Sequence, residues 1–389
     1  MNLSTDFIPF ARPRLGPEEE EAVLRVLRSG WLTTGQETKA FEEEFAAFLG
    51  CPQALAVNSA TSGLHLALEA LGVGPGDRVA VPTWTFTATA EVIRYLGGHP
   101  VFVDCAPGSF QMSMDHLEKI VGEAPVKVVM AVHIAGESVD VDRLLALREK
   151  YGFAVVEDSA HAFPVKTPQG WLGTIFDVGV FSFYANKTIT TGEGGMIVTL
   201  REDLAKRMAT MRLHGIDRDA FSRFTSPTAG WEYDILAPGF KYNLPDLGGA
   251  IGRVQLKKAQ EFLLQRQEIV QSYLSKLQDN PAYILPSWRS DHAWHLFILR
   301  ISEASRRNHL VDFLKIQGIG TSVHYKPLHR MTYWKQTYDL KQDDYPEAEK
   351  LFAQVVSLPL YPGLKEIQIH RVVNALEQFS SGINHGQNR

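Results

Sequence analysis

Val155-Val-Glu-Asp-Ser-Ala-His161 reads as a buried strand that ends in a carboxylate. Downstream, Phe181-Ser-Phe-Tyr-Ala-Asn-Lys-Thr-Ile-Thr-Thr-Gly-Glu-Gly-Gly-Met196 places a lysine ahead of a glycine-rich turn. Between them, Asp177-Val-Gly-Val-Phe-Ser182 is another apolar, strand-like run. A lysine before Gly-Glu-Gly-Gly is, taken alone, ordinarily a turn beside a solvated charge. Here Lys187 follows a strand that ends on Asp158, and the conjunction is far more specific than either part.

Working outward from this pair, α and β signals alternate. Pro17 with Glu18 to Glu21 opens a helix, with proline in the first turn and acids near the positive end of the dipole, and Arg25 and Arg28 precede Gly30 at its close. Phe41, Phe45 and Phe48 at helical spacing mark a second helix, followed by a short strand from Ala54 to Val57. Strand-like runs recur at Arg78–Pro82, Pro100–Val103, Val126–Val132 and Phe153–Glu157, with helical stretches between most of them. Such alternation predicts an α/β fold with a mostly parallel sheet wrapped by helices. After Gly252 the pattern changes, and apolar positions at Leu256, Leu263, Val270 and Leu277 predict a long amphipathic helix of the kind that bridges two domains. A strand from Trp294 to Ile301, a helix around Leu310 to Leu314 and a last helix near the C-terminus complete a smaller α/β unit. The expected division is a large domain over 1–255 and a small one over 256–389.

Composition bounds the function. A chain of 389 residues that is 45% hydrophobic can bury two cores. The net charge of -5 leaves no basic footprint for nucleic acid. The two cysteines, Cys51 and Cys105, cannot build a disulfide framework, are expected to be small buried hydrophobes, and suit a reducing cytoplasm. The N-terminus lacks a basic region followed by an apolar core, and no run reaches ~18 uninterrupted apolar residues, so no export or membrane span is expected.

The lysine and the aspartate are what a pyridoxal phosphate (PLP) enzyme needs: one holds the coenzyme aldehyde as a Schiff base, and the other keeps the pyridine nitrogen protonated. Phosphate favours the N–H groups at a helix N-terminus, and Val57-Asn-Ser-Ala-Thr-Ser-Gly-Leu64 supplies a strand, small hydroxyl residues, then a helix, although the same run would serve as an ordinary cap. A planar ring wants an aromatic neighbour, and Trp84 and Phe86 lie just past a strand end, where open α/β sheets bind ligands; either could equally be core. Competing motifs fail. Thr191–Gly195 is no phosphate-binding Gly-Lys-Ser/Thr loop, no Gly-x-Gly-x-x-Gly follows the first strand, and none of His133, His161, His214, His324 and His329 forms a zinc pattern.

The blocks Glu157–Ala162, Phe181–Lys187, Thr191–Met196 and Gly239-Phe-Lys-Tyr-Asn-Leu-Pro-Asp-Leu-Gly-Gly-Ala-Ile-Gly252 resemble the signature blocks of the DegT/DnrJ/StrS sugar-nucleotide aminotransferases. Further matches run from Ser29–Gly35 to His324–His329 and Ser357–Leu360, so the resemblance covers nearly the whole chain. It implies a fold-type-I PLP transferase with a seven-stranded sheet, Lys187 bonded to the coenzyme and Asp158 on the pyridinium nitrogen. It also implies that His161, where many relatives have Gln, reaches the 3′-oxygen, that Phe86 stacks on the ring, and that phosphate lies on Ala60, Thr61, Ser62 and Ser182. A homodimer with shared active sites follows, in which Lys241 or Asn243 of the partner completes the phosphate site. Trp31, Glu193, His324, Tyr325 and His329 are the implied substrate contacts.

The implied reaction moves an amino group from glutamate to a nucleotide-linked ketosugar, for cell-surface polysaccharide or glycan synthesis, lipopolysaccharide included. A 4-keto-6-deoxyhexose is the first expectation, with Arg212–Asp217 and Trp231–Tyr233 favouring C4; a 3-ketosugar or a 4-ketopentose are neighbouring possibilities. Sugar dehydratases of the same family have His where this chain has Lys187. A non-catalytic sensor is a minority alternative.

Overall fold

The apolar runs become strands at the expected places: β1 (Gln53–Val57), β2 (Arg78–Pro82), β3 (His99–Val103), β4 (Val128–Val132) and β5 (Ala154–Asp158). A short hairpin of β6 (Lys166–Thr167) and β7 (Gly170–Trp171) follows, then β8 (Val178–Ser182) and β9 (Gly195–Thr199). A computed structural model of the chain describes residues 7–217 and 233–386, so the expectation resting on Trp231 lies outside the described residues. Seven strands form one sheet in the order β1-β9-β8-β5-β4-β2-β3. β3, β2, β4, β5 and β8 run parallel, while β9 is antiparallel to both β8 and β1. The central strands are buried almost throughout because helices cover both faces, the reason they read as nearly continuous apolar runs.

Parallel strands share their C-terminal edge, so Pro82, Val132, Asp158 and Ser182 close on one side of the sheet. The helix Ala60–Ala70 begins at that edge. Its cap is Ser59, whose hydroxyl accepts the N–H of Ser62 at 3.1 Å. Gly195, in β9, lets this helix start sit against the sheet: a Cβ there would lie 2.8 Å from Ala60 N, Phe181 O and Ser59 C.

The long helix spans Asp246–Leu277, starting ahead of the expected Leu256 and passing residue 255 without a break. Its first turns were hard to read because Gly248, Gly249 and Gly252 look like breakers. They are contact points instead. A Cβ at Gly249 would fall 2.7 Å from Thr38 Cα, and Gly252 faces the ring of Phe41, so the helix lies close on Gln36–Leu49. Asp246 fixes the crossing by accepting the N–H groups of Gly35 (2.7 Å), Glu37 (3.2 Å) and Thr38 (3.0 Å).

Beyond it, β10 (Tyr283–Ile284), β11 (Phe297–Ile301) and β12 (Val355–Leu358) form an antiparallel sheet. The helices Arg307–Ile316 and Glu366–Gly386 pack on a core that includes Tyr273, Phe297, Leu310 and Leu376. Ile8 joins that core and bridges to Ile319, so the N-terminal residues dock on the C-terminal unit rather than on the large sheet. Both cysteines are buried and free.

Gly195→Ala should lower the unfolding free energy by about 1–3 kcal/mol, the ordinary cost of overpacking, as measured by urea denaturation. Unchanged stability would mean that the helix start and β9 can separate freely.

Candidate active site

The strand ends enclose a cavity of about 480 Å³ lined by Ser59, Ala60, Thr61, Phe86, Thr89, Asp158, His161, Ser182, Lys187, Glu193, His324 and Tyr325, among others. β5 delivers Asp158 and the turn after β8 delivers Lys187, which is why residues apart in sequence meet. Asp158 is 6% exposed, and its carboxylate accepts Thr89 Oγ1–H at 2.7 Å and Ala160 N–H at 3.2 Å. Burial raises its pKa; the two donors, Lys187 and His133 pull it back. Burial lowers the Lys187 ammonium to about 8 against the opposing charge of Asp158, so near neutrality its neutral fraction is far larger than that of an exposed lysine.

His161 is neutral, its pKa held well below the ordinary range by burial first and by Lys187 next. Ala135 N–H donates to His161 Nδ1 at 3.2 Å. The ring proton therefore sits on Nε2 and donates to Tyr325 Oη at 3.1 Å, leaving the Tyr325 hydroxyl proton free to turn elsewhere. Burial brings His324 down to about 4, and its Nδ1 lies 3.0 Å from Ser357 Oγ. The neighbouring Glu157 points to the other face of β5, where its carboxylate accepts His133 Nε2–H (3.2 Å) and the N–H groups of Gly173 (2.7 Å), Ile175 (3.0 Å) and Phe176 (2.9 Å). That carboxylate is structural and fixes the strand carrying Asp158.

Several expectations fall elsewhere. Trp84 is fully buried and donates its indole N–H to His324 O at 3.1 Å, so it is core, whereas Phe86 is 58% exposed and borders the cavity. Ser62 does not border it: its N–H goes to the Ser59 cap and its hydroxyl to Asn58 Oδ1 at 2.6 Å. His329 is not at the cavity either. It has no exposed surface, lies 2.7 Å from both Thr83 Oγ1 and Glu349 Oε1, and stacks on Tyr345. A histidine with both nitrogens occupied in the core braces the fold and has no free edge for a substrate. Trp31, Lys241 and Asn243 also lie outside the cavity lining of their own chain. The Trp31 indole donates to Thr34 O at 3.2 Å and Asn243 Nδ2 to Thr34 Oγ1 at 2.7 Å, while Lys241 is exposed.

The sequence reading missed Thr85, Thr89, Tyr184 and Asn186, which all line the cavity. Thr85 and Thr89 stand four apart, one helical turn, but their use as donors depends on what they face and leaves no periodic signal.

A family model described as the DegT/DnrJ/EryC1/StrS aminotransferase family matches residues 13–377. The spore coat polysaccharide biosynthesis protein SpsC of Bacillus subtilis is 39% identical over 382 residues, covering 97% of this chain and 98% of that protein. The PLP-form of the putative sugar aminotransferase Spr1654 from Streptococcus pneumoniae superposes with a TM-score of 0.90 at 32% identity, covering 97% of this chain and 99% of the other. PseC of Helicobacter pylori, an aminotransferase involved in pseudoaminic acid biosynthesis, gives a TM-score of 0.90 at 28% identity, covering 97% and 100%. Lysine, aspartate and helix cradle at one sheet edge, on a chain matched almost end to end, define the class, and the protein belongs to the DegT/DnrJ/EryC1/StrS aminotransferase family.

In coenzyme-free protein, modification of Lys187 by an amine-selective reagent should rise through a midpoint near pH 8 rather than near 10.5, read by peptide mass spectrometry. Asp158→Asn should move that midpoint lower, because it removes the charge that favours the ammonium. A midpoint typical of an exposed lysine would contradict the burial argument.

Proposed function

We propose that this aminotransferase transfers the amino group of glutamate to a nucleotide-linked ketosugar, at C4 of a 4-keto-6-deoxyhexose, in the cytoplasm and for cell-surface glycan synthesis. Pyridoxal phosphate is its coenzyme. The observation that carries the reading is the meeting of Lys187, Asp158 and the helix start Ala60–Thr61 in one cavity.

The residues present fit the coenzyme. The N–H groups of Ala60 and Thr61 open a helix and have no intrahelical acceptor, and with the Ser182 hydroxyl they suit a phosphate. Asp158 keeps a carboxylate for a ring N–H, and Phe86 offers an aromatic face at the cavity. When bound, the coenzyme supplies an electron sink for the carbon next to nitrogen. The protein supplies the rest. Lys187 Nζ, with a pKa of about 8, accepts and returns a proton at that carbon as general base and acid. Asp158, bonded to Thr89 and Ala160, would accept the ring N–H with its remaining lone pairs. His161 Nε2 and Tyr325 Oη are hydrogen-bonded, and Glu193 and His324 line the same cavity and are offered as sugar contacts.

A sugar acceptor is supported by the polysaccharide and sugar roles of the relatives, and a C4 ketone by the Arg212–Asp217 block. The shared-site homodimer is supported by Lys241 and Asn243, which lie off their own cavity in a block that resembles the partner-donated phosphate contact.

Borohydride reduction and peptide mapping should place the coenzyme on Lys187, and an adduct on any other lysine would refute the site. Lys187→Ala should keep the fold and lose the glutamate half-reaction. Products formed from a panel of 4-keto and 3-keto sugar nucleotides, identified by mass spectrometry, test the regiochemistry; turnover of 3-keto sugars alone would overturn C4.

Mixing inactive Lys187→Ala subunits with a Lys241/Asn243 double-alanine variant should restore activity, since each hybrid dimer holds one intact site. Demonstrated subunit exchange without recovered activity would refute shared sites.

A further inference from the structure

The segment Thr83–Thr89 carries a hydroxyl at every second position, and each hydroxyl has a partner. Thr83 meets His329, Thr87 meets Glu91 and Trp334, and Thr85 Oγ1 lies 3.0 Å from Thr89 Oγ1, which donates to Asp158 Oδ2 at 2.7 Å. The last pair is 1% exposed at both threonines and borders the cavity. An ionised carboxylate only accepts, so the Thr89 proton must point at Asp158. The Thr89 oxygen is then left to accept, and Thr85 must be its donor. The direction of the whole chain, Thr85 to Thr89 to Asp158, is thus set by the charge at its end.

We infer that Thr89 is a positioning residue for Asp158, and that Thr85 acts through it to hold that carboxylate charged and aimed into the cavity. The inference rests on the coenzyme reading above, in which Asp158 receives a ring N–H. With Oδ2 tied to Thr89 and Oδ1 to the Ala160 N–H, the carboxylate cannot rotate, and its remaining lone pairs are the ones offered to a ligand. Both threonines are almost fully buried, so losing the Thr89 donor leaves the carboxylate with one fewer of its hydrogen bonds. The other titratable groups around Asp158 are Lys187 after β8, His133 after β4, His161 three residues beyond its own strand end, and Tyr325, and substitutions at the threonines leave them all in place.

The test is titration of coenzyme-free protein with pyridoxal phosphate, followed by absorbance from about pH 6 to about pH 9, with melting temperature as the control for folding. Thr89→Val preserves shape and removes the hydroxyl. It should weaken coenzyme binding about tenfold, or ~1.4 kcal/mol. The acid limb of binding should shift to higher pH, because a carboxylate that loses a donor is protonated more easily. Thr89→Ser should restore both. Thr85→Val, which leaves Thr89 in place, should give a smaller shift in the same direction and serves if Thr89→Val does not fold. Wild-type affinity and an unmoved acid limb in the folded threonine variants, with binding weakened in Asp158→Asn, would overturn the inference alone. Wild-type binding together with a wild-type glutamate half-reaction in Asp158→Asn would overturn the placement of Asp158 at the coenzyme's ring N–H on which the inference rests.

Discussion

A carboxylate held deep in the protein is the constraint on which the rest of the architecture turns. An isolated ionised group at such a depth is costly, and it persists only with donors and an opposite charge around it. Asp158 obtains these from three elements: Thr89 from the first turn of the helix Ala88–Tyr95 that follows β2, Ala160 from its own strand end, and Lys187 from the turn after β8. Each must hold its place, so the packing that fixes those three elements is part of the site. Gly195 against Ala60, and Glu157 gathering three backbone N–H groups and His133, are examples a little further out.

The C-terminal unit contributes by clamping that edge. Leu328 N–H donates to Thr83 O at 2.8 Å, the Trp84 indole N–H to His324 O, and the Trp334 indole N–H to Thr87 Oγ1 at 3.2 Å. His329 and Arg330 share the Glu349 carboxylate at the same junction. The loop that bears Phe86 and the helix start that bears Thr89 are therefore gripped from above, and the segment doing so brings His324 and Tyr325 to the cavity wall. Arg266 extends the clamp from the long helix: fully buried, it donates to the carbonyls of Trp294, His295 and Leu360, and burial lowers it to about 10. His295 N–H in turn donates to Ala135 O, and Ala135 N–H to His161, with Ala135 held at a φ of 60°. A non-glycine residue in that region is uncommon and costs about 1–2 kcal/mol, which this residue sustains with both its backbone groups bonded.

Much of this was legible in the chain. Strand runs and helix caps depend on local periodicity and backbone chemistry, so β1 to β5, β8 and the helices at Pro17 and Gln36 lie where the residues put them. Asp158 and Lys187 stood out because a strand ending in a carboxylate and a lysine before a glycine-rich turn form an uncommon pair, and the fold places both in one cavity. The start of the long helix was not, because its glycines mark a close helix crossing that only the partner helix explains. Nor was the docking of Ile8 on the C-terminal core, which depends on where the chain returns in space.

The sequence by itself determined the element order through local residue type and spacing, and the class of enzyme through its family resemblance, and it singled out Asp158 and Lys187, which the fold brings to one cavity. Tertiary structure decided which of two aromatics faces the cavity, which hydroxyl points at Asp158, and that His329 ties Thr83 to Glu349 in the core while His324 lines the cavity. Those outcomes are set by the direction of side chains across strand ends and domains, and spacing along one chain carries no record of direction between elements that meet only after folding.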